Sequence, residues 1–446
     1  MSDNMANATF PDLPGLPSYT LKPRPSMIPG ISDPLLQLLA PIIAYWVVSL
    51  FFHILDTYDL CSQYRLHTPA EVLKRNHVTR FEVLRDVIIQ QIVQTVFGLI
   101  IASFDPVETI GKEDYDIAVW AQRLRFAERY IPTLLGFIGL DAMSLGRKLQ
   151  PDYPQLAGAL VGGIYSTPSF ASWEMTTAKS IYWVGIPLIQ FVVATLIVDT
   201  WQYFLHRAMH MNKFLYTTFH SRHHRLYVPY AYGALYNHPL EGFMLDTLGT
   251  GVAYLTTGMT IRQGMWFFTI SSIKTVDDHC GYAFPWDPLQ HITSNNAAYH
   301  DVHHQSWGIK TNFSQPFFTF WDRLLNTAWT GGDVSARYQR DRIAAQKKVD
   351  ADATAAAAAA NIVNSPIIDK GHAEHQAQSS QRQVLDDKEN AGPQALEEEA
   401  REEQEVKQAL RRSTRRKSGF DAKSISDRVA GIHSRSPAIL HADGMH

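Results

Sequence analysis

Cysteine is scarce in this chain: Cys61 and Cys280 are the only two in 446 residues, which excludes a disulfide framework and a cysteine-rich zinc site. A charge excess of either sign is missing too. With 40 Lys and Arg against 43 Asp and Glu the formal net charge is -3, so nothing global points to nucleic acid. The opening MSDNMANATFPDLPG lacks both a basic stretch and an apolar core, and no cleavable signal peptide is expected. Neither a G-x-G-x-x-G fingerprint nor a His-Pro-Gly-Gly haem stretch occurs, which leaves the chain without a nicotinamide site or fused cytochrome of its own.

Apolar length is present instead. Leu35 to Leu55 runs without a formal charge, about the length that crosses a hydrocarbon core of roughly 30 Å. Val87 to Phe104 and Ile181 to Leu205 are further candidate spans, the third long enough to project beyond the bilayer. Between them, YIPTLLGFIGLDAMSL and LAGALVGGIY are short and suit an interfacial or half-crossing position. GFMLDTLGTGVAYLTTG and MWFFTISSIKTV read as an apolar hairpin that returns the chain to the side it left. The expectation is an all-α membrane protein with four or more spans and a histidine-bearing helical cap on one face. Residues 1–30, rich in proline and glycine, are expected to be flexible; 31–180 hold transmembrane and interfacial helices; 181–330 form the catalytic domain. Residues 331–446 have few large apolar side chains to offset ordering entropy and are expected to be a disordered tail, with a transient helix through the alanine run.

Histidine is concentrated where the apolar runs end. Of 19 in the chain, eleven lie between His206 and His304. HRAMH places His206 and His210 four apart, on one helix face. HSRHH supplies His220, His223 and His224, and HDVHH repeats that pattern as His300, His303 and His304. Neutral imidazole ligates iron, zinc, copper or nickel, and helical spacing lets one turn offer several ring nitrogens in one direction. Eight rings exceed the needs of one ion, so two metals in a shared site are implied.

HRAMH, HSRHH and YHDVHH resemble the three histidine boxes of the fatty acid hydroxylase and sterol desaturase superfamily of membrane di-iron enzymes, over roughly Leu196 to Thr327. NHPLE, with His238, and DDHCGY, with His279, resemble its additional ligand positions, which brings the candidate ligands to ten. His291 belongs to no box and reads as a surface histidine. The stretch NNAAYHDVHHQSWGIKTNFSQPFFTFWDRLL is most similar to the sphinganine hydroxylase branch. The resemblance implies two iron ions, dioxygen, and hydroxylation at carbon 4 of sphinganine or dihydroceramide at the cytosolic face of the endoplasmic reticulum membrane. It also implies electrons from NADPH or NADH delivered by cytochrome b5 or its reductase.

A saturated carbon offers no electrophile, so a lone Lewis acid would not suffice and an oxygen-activating metal is required. Asp301, Glu241, Asp277 and Asp278, close in sequence to box histidines, are candidates to orient ligating rings. Trp266, Phe267, Phe268, Trp286 and the PFFTFW run could line an acyl cleft or form an aromatic belt. Arg65, Lys74, Arg75, Arg80 and Arg85 after the first span, and Arg207, Lys213, Arg222 and Arg225 around the boxes, fit a cytosolic cap. A sequon at Asn7 would then be luminal and that at Asn312 cytosolic. Two other readings stay open: a sterol-oxidising relative with the same ligands, and a membrane protein whose histidines bind zinc without catalysis.

Overall fold

The computed structural model describes residues 13–104, 106–163 and 169–363. It is helical almost throughout; the one sheet among the described residues pairs Lys22–Pro23 with Thr109–Ile110. Three helices are long and apolar enough to cross a bilayer: Asp33–Thr57, Arg80–Ala102 and Ser172–Met211. Their outward faces expose Val47, Leu50, Ile92, Val96, Ile189 and Val192, an apolar exterior that only lipid satisfies. The chain is a membrane protein.

Four or more spans were expected, and the hairpin accounts for the difference. Its first arm is helical from Pro239 through a π-turn to Thr257 and carries Glu241 and Asp246, and its second, Ile261–Asp278, carries Arg262, Lys274, Asp277 and Asp278, so neither is apolar enough to count as a span. The arms turn at Gly258, whose φ of 62° is left-handed and suits a residue without a Cβ. The second arm packs along the first span and the first arm along the long third helix. Trp201 Nε1 donates to the Met244 carbonyl (2.8 Å) where the hairpin begins.

Local chemistry sets the span ends. Thr79 and Glu82 form a capping box that starts the second span, and Thr260 with Gln263 does the same for the second hairpin arm. In the long helix Pro187 has no N–H to donate, and the chain widens into a π-turn over Ile181–Gly185 before continuing to Met211. That continuation carries His206 and His210 out of the apolar region on one face.

The loop between the first two spans is woven into the cap. Leu66 N–H donates to the Gly281 carbonyl (2.9 Å), Ala283 N–H to that of Tyr64 (2.8 Å), and His77 N–H to that of Arg225 (2.9 Å). The first span therefore ends, the second begins and the third ends at the same face as the histidines.

Both termini depart from the expected looseness within the described residues. From Leu13 the chain is docked: Arg24 pairs with Glu108 (3.3 Å), and Arg262 reaches Asp33 (2.8 Å) and the Pro25 carbonyl (2.6 Å). After residue 331 a helix runs over Ser335–Val363, starting well before the alanine run. Its Ala, Arg, Gln and Lys content favours helix, and it is fastened to the cap by Tyr338 Oη donating to Asp301 (2.6 Å) and by Arg75 on Asp341 (3.2 Å). The remainder of the expected tail, 364–446, and residues 1–12 of the expected flexible N-terminal segment lie outside the described residues.

That anchor includes a histidine remote from every box. His67 is buried between Glu71 (Nδ1 to Oε1, 2.9 Å) and Asp301 (Nε2 to Oδ1, 2.8 Å). Burial alone would lower its pKa, but the two carboxylates outweigh it and push the ring up to about 9. A folded-state value above the unfolded one stabilises fully below pH 6.5 and is lost as pH rises through 9. In detergent, wild type should therefore exceed H67Q in unfolding free energy by on the order of 3 kcal/mol at pH 6, with the gap closing by pH 9.5; a pH-independent gap would contradict this charge assignment.

Candidate metal centre

Nine of the ten sequence-derived histidines meet in the cap, in two adjoining groups. His206, His210, His220, His224 and His303 form one; His223, His279, His300 and His304 form the other. Within each group the ligand atoms lie within 4.8 Å of one another, and every ring is buried. The boxes divide between the groups by a simple rule. In each H-x-x-H-H motif the first and fifth residues join one group and the fourth joins the other. Residues i and i+4 sit one above the other on a turn, while i+3 is rotated toward the neighbouring site. HDVHH does this on the α-helix Ala297–His304; HSRHH makes the same division on a tighter 3₁₀ turn over His220–Arg225, where i and i+3 are the eclipsed positions and α-helical spacing is not the cause.

The rings are aimed by the groups behind them. Nδ1–H donates to the carbonyl of Phe313 from His206 (2.9 Å), of Tyr236 from His223 (3.0 Å), of Thr275 from His279 (2.9 Å), of Thr311 from His303 (2.7 Å) and of Leu226 from His304 (2.9 Å). His220 donates likewise to the Glu241 carboxylate. With the proton fixed on Nδ1, each Nε2 presents a lone pair inward.

Those inward atoms are crowded. Nε2 of His220 stands 2.7 Å from that of His210 and 3.1 Å from that of His206; in the other group His300 stands 3.0 Å from His279 and 3.1 Å from His304. In the His206–His220 contact both protons are held on Nδ1, and two lone pairs at that separation repel unless a cation lies between them. With metal–nitrogen bonds of about 2.1 Å, ligands at right angles are separated by about 3 Å, which matches this spacing. Burial, helped by the neighbouring imidazoles at all but His223, holds His220, His224, His300, His303 and His304 well below the ordinary histidine range, His223 at about 4 and His279 at about 3. The rings are thus in the neutral, ligating form at physiological pH. An all-imidazole donor set suits iron, zinc, copper or nickel.

His238 lies outside both groups. It caps the turn Pro239–Gly242, its Nδ1 accepting from Leu240 N–H (3.2 Å), and its ring rests against Phe219. His291 is exposed, in keeping with a surface histidine.

Of the four acidic candidates, Glu241 alone touches a converging ring. Asp301 holds His67 and Tyr338, Asp278 holds Lys274 and Asn295, and Asp277 accepts from Gln290 (3.2 Å). All four are buried. Reasoning from the sequence missed Asp322, which accepts from Phe313 N–H (3.0 Å), Ser314 N–H (2.8 Å), Tyr299 Oη (2.8 Å) and Thr327 Oγ1 (2.6 Å). It thereby fixes the Phe313 carbonyl that aims His206. Only its place in FWDRLL, eighteen residues past His304, could have drawn notice, and that distance gives no signal.

A small polar chamber beside the rings is lined by His220, His223, His279 and His300 together with Asn237, Glu241 and Asp278. Below it an apolar cavity of about 400 Å³ extends between the spans, lined by Leu38, Ile42, Phe97, Leu248, Val252 and Phe268 among others. Gln202, Asp246, Thr275 and Pro316 line both, so the two adjoin at that neck. Of the expected cleft aromatics only Phe268 faces the cavity; Trp266 and Trp286 point outward.

Comparison with known proteins agrees with this arrangement. The fatty acid hydroxylase family matches residues 191–327. Sphingolipid C4-hydroxylase SUR2 of Saccharomyces cerevisiae is 45% identical over 324 residues, 73% of this chain and 80% of that protein. Sphinganine C4-monooxygenase 2 of Arabidopsis thaliana is 39% identical over 297 residues, 67% and 88%. Methylsterol monooxygenase 1 of Rattus norvegicus is 35% identical over 153 residues, 32% and 50%. No solved structure matches. Since the family match spans every histidine of both groups and the likeness to the yeast protein extends well beyond them, the chain belongs to the fatty acid hydroxylase family.

Proposed function

We propose that this protein is a membrane-bound di-iron monooxygenase that hydroxylates carbon 4 of a sphingoid base. The observation that carries the reading is an apolar cavity adjoining a chamber lined by converging imidazoles. The names borne by the yeast and plant relatives specify the carbon. The sterol relative matches over only 153 residues, 32% of this chain, which favours the sphingoid reading.

His206, His210, His220, His224 and His303 would hold one iron, and His223, His279, His300 and His304 the other. When bound, the ions supply the oxygen-activating redox chemistry that a saturated carbon requires. The chain's own residues do the rest. Carbonyls of Phe313, Tyr236, Thr275, Thr311 and Leu226 lock the ring orientations, which preorganises the site. Burial of all nine rings excludes bulk water from the reacting carbon. The apolar cavity takes the alkyl chain and sets which carbon reaches the chamber. Inserting one oxygen atom and releasing the other as water consumes two electrons and two protons, so an external donor is needed; cytochrome b5 or its reductase fits that role.

The cap is assigned to the cytosolic face of the endoplasmic reticulum. Arg65, Lys74, Arg75, Arg80, Arg207, Arg222 and Arg225 all belong to segments at the cap ends of the spans, as expected for a cytosolic surface. Asn312 is a poor reporter of this orientation, because it is buried with its side chain bonded to the Tyr299 carbonyl (2.9 Å) and to Trp329 N–H (2.7 Å). Asn7, which lies outside the described residues, is the usable sequon. In microsomes a glycosidase-sensitive mass shift should be present in wild type and absent in N7Q; no shift in wild type would argue against a luminal N-terminal segment.

Reaction and site are tested together by lipid mass spectrometry. Membranes containing the chain, given deuterated sphinganine, NADPH and ¹⁸O₂, should form a product carrying one ¹⁸O as a carbon-4 hydroxyl. H303A should lose about 100-fold or more of this activity, whereas H238A should retain most of it. An oxidised sterol beside unchanged sphinganine would overturn the substrate assignment.

A further inference from the structure

The neck between the cavity and the polar chamber holds a carboxylate that no part of the metal centre uses. Asp246 lies on a π-turn, Phe243–Thr247, at the start of the hairpin, and such turns recur at functional sites. It lines the apolar cavity and the histidine chamber at once. Gln202, itself buried, donates to one of its oxygens (3.3 Å). Among the described residues no lysine or arginine forms an ion pair with it, and burial pushes its pKa up. A carboxylate kept in apolar surroundings without a countercharge is costly unless a ligand supplies one.

The chemistry of the proposed substrate supplies one at that place. In a sphingoid base the amine is on carbon 2, so its nitrogen stays within about 4 Å of carbon 4 in any staggered conformation. Whatever recognises the amine must therefore line the chamber where carbon 4 reacts. Three carboxylates do: Glu241, Asp246 and Asp278. Glu241 accepts from His220 and from His238 N–H (3.3 Å), and Asp278 is bound by Lys274 and by Asn295 Nδ2 (3.0 Å). Asp246 alone is without a cationic or ring partner. Beside it, the Thr247 hydroxyl is buried with no hydrogen-bond partner among the described residues and lines the same cavity.

We infer that Asp246 binds the free ammonium group of the substrate, and that the enzyme takes the unacylated sphingoid base in preference to its N-acyl form. The inference rests on the hydroxylase reading above. In the low dielectric of the neck an ammonium–carboxylate pair gains more than in water. Acylation removes the charge, adds bulk at the neck and leaves Asp246 unpaired.

The test compares kcat/KM of the full-length membrane enzyme for sphinganine and for N-acetylsphinganine, in wild type, D246N and D246E, with iron content measured alongside. The expected result is a fall of about tenfold or more in the sphinganine to N-acetylsphinganine preference in D246N, expressed mainly in KM, with partial recovery in D246E and unchanged iron. Equal losses on both substrates, or no loss, would overturn the inference. Wild type offered octadecane-1,3-diol, which lacks the amine, guards against a variant that fails to fold: it should be turned over at least about tenfold less efficiently than sphinganine, and equal efficiency would overturn the inference. Wild type inactive on all of these compounds would overturn the underlying hydroxylase reading itself.

Discussion

Nine neutral imidazoles turn ring nitrogens toward two points inside a membrane protein, six of them with the lone pair fixed inward by a partner behind the ring. His206 and His220, both with the proton held on Nδ1 from behind, face each other at 3.1 Å with two lone pairs, a contact that a cation between them relieves. Bringing the rings there removes them from water and sets like dipoles face to face, so the apo arrangement is held against its own electrostatics. Much of the remaining architecture can be understood as the scaffolding for this one unfavourable juxtaposition. It explains why the long helix continues past the apolar region, why two boxes share the same unequal spacing, and why five of the rings are tethered from behind by main-chain carbonyls.

The tethers are themselves held by buried charges drawn from across the chain. Asp322 grips the Phe313 and Ser314 amides and the Tyr299 hydroxyl, joining the first box to the third. Asp199, on the long helix, accepts from the Phe317 and Phe318 amides (3.0 and 2.9 Å) and keeps the following loop against that helix. His67 and Asp301 connect the loop between the first two spans to the back of the third box, and Tyr338 closes that contact from the C-terminal helix. Such buried polar networks contribute uniqueness of position more than net stability. At a metal centre position is the quantity that matters, because ligand placement decides affinity and reactivity.

The sequence made the chemistry more legible than the scaffold. His206 with His210, and the two H-x-x-H-H motifs, could be read because helical periodicity converts spacing directly into direction. Three apolar spans could be read because hydropathy needs no partner to be recognised. The hairpin was harder: its first arm mixes apolar residues with Glu241 and Asp246, and its place against other helices depends on contacts the sequence does not encode locally. His238 looked like its neighbours, yet Pro239 immediately after it starts a turn that the ring caps. Helix propensity after Ser335 was visible, but the anchoring of Tyr338 on Asp301 was not, since each partner is unremarkable in its own segment. Asp322 and His67 belong to the same class, side chains whose role arises only when distant segments meet.

The most direct test of this account is the metal stoichiometry and coordination of the purified full-length chain, reconstituted anaerobically with ferrous iron and measured by elemental analysis and X-ray absorption. Two groups of imidazoles predict two irons per chain, each with a nitrogen-dominated shell. One metal or fewer per chain, or a shell dominated by oxygen or sulfur, would contradict it.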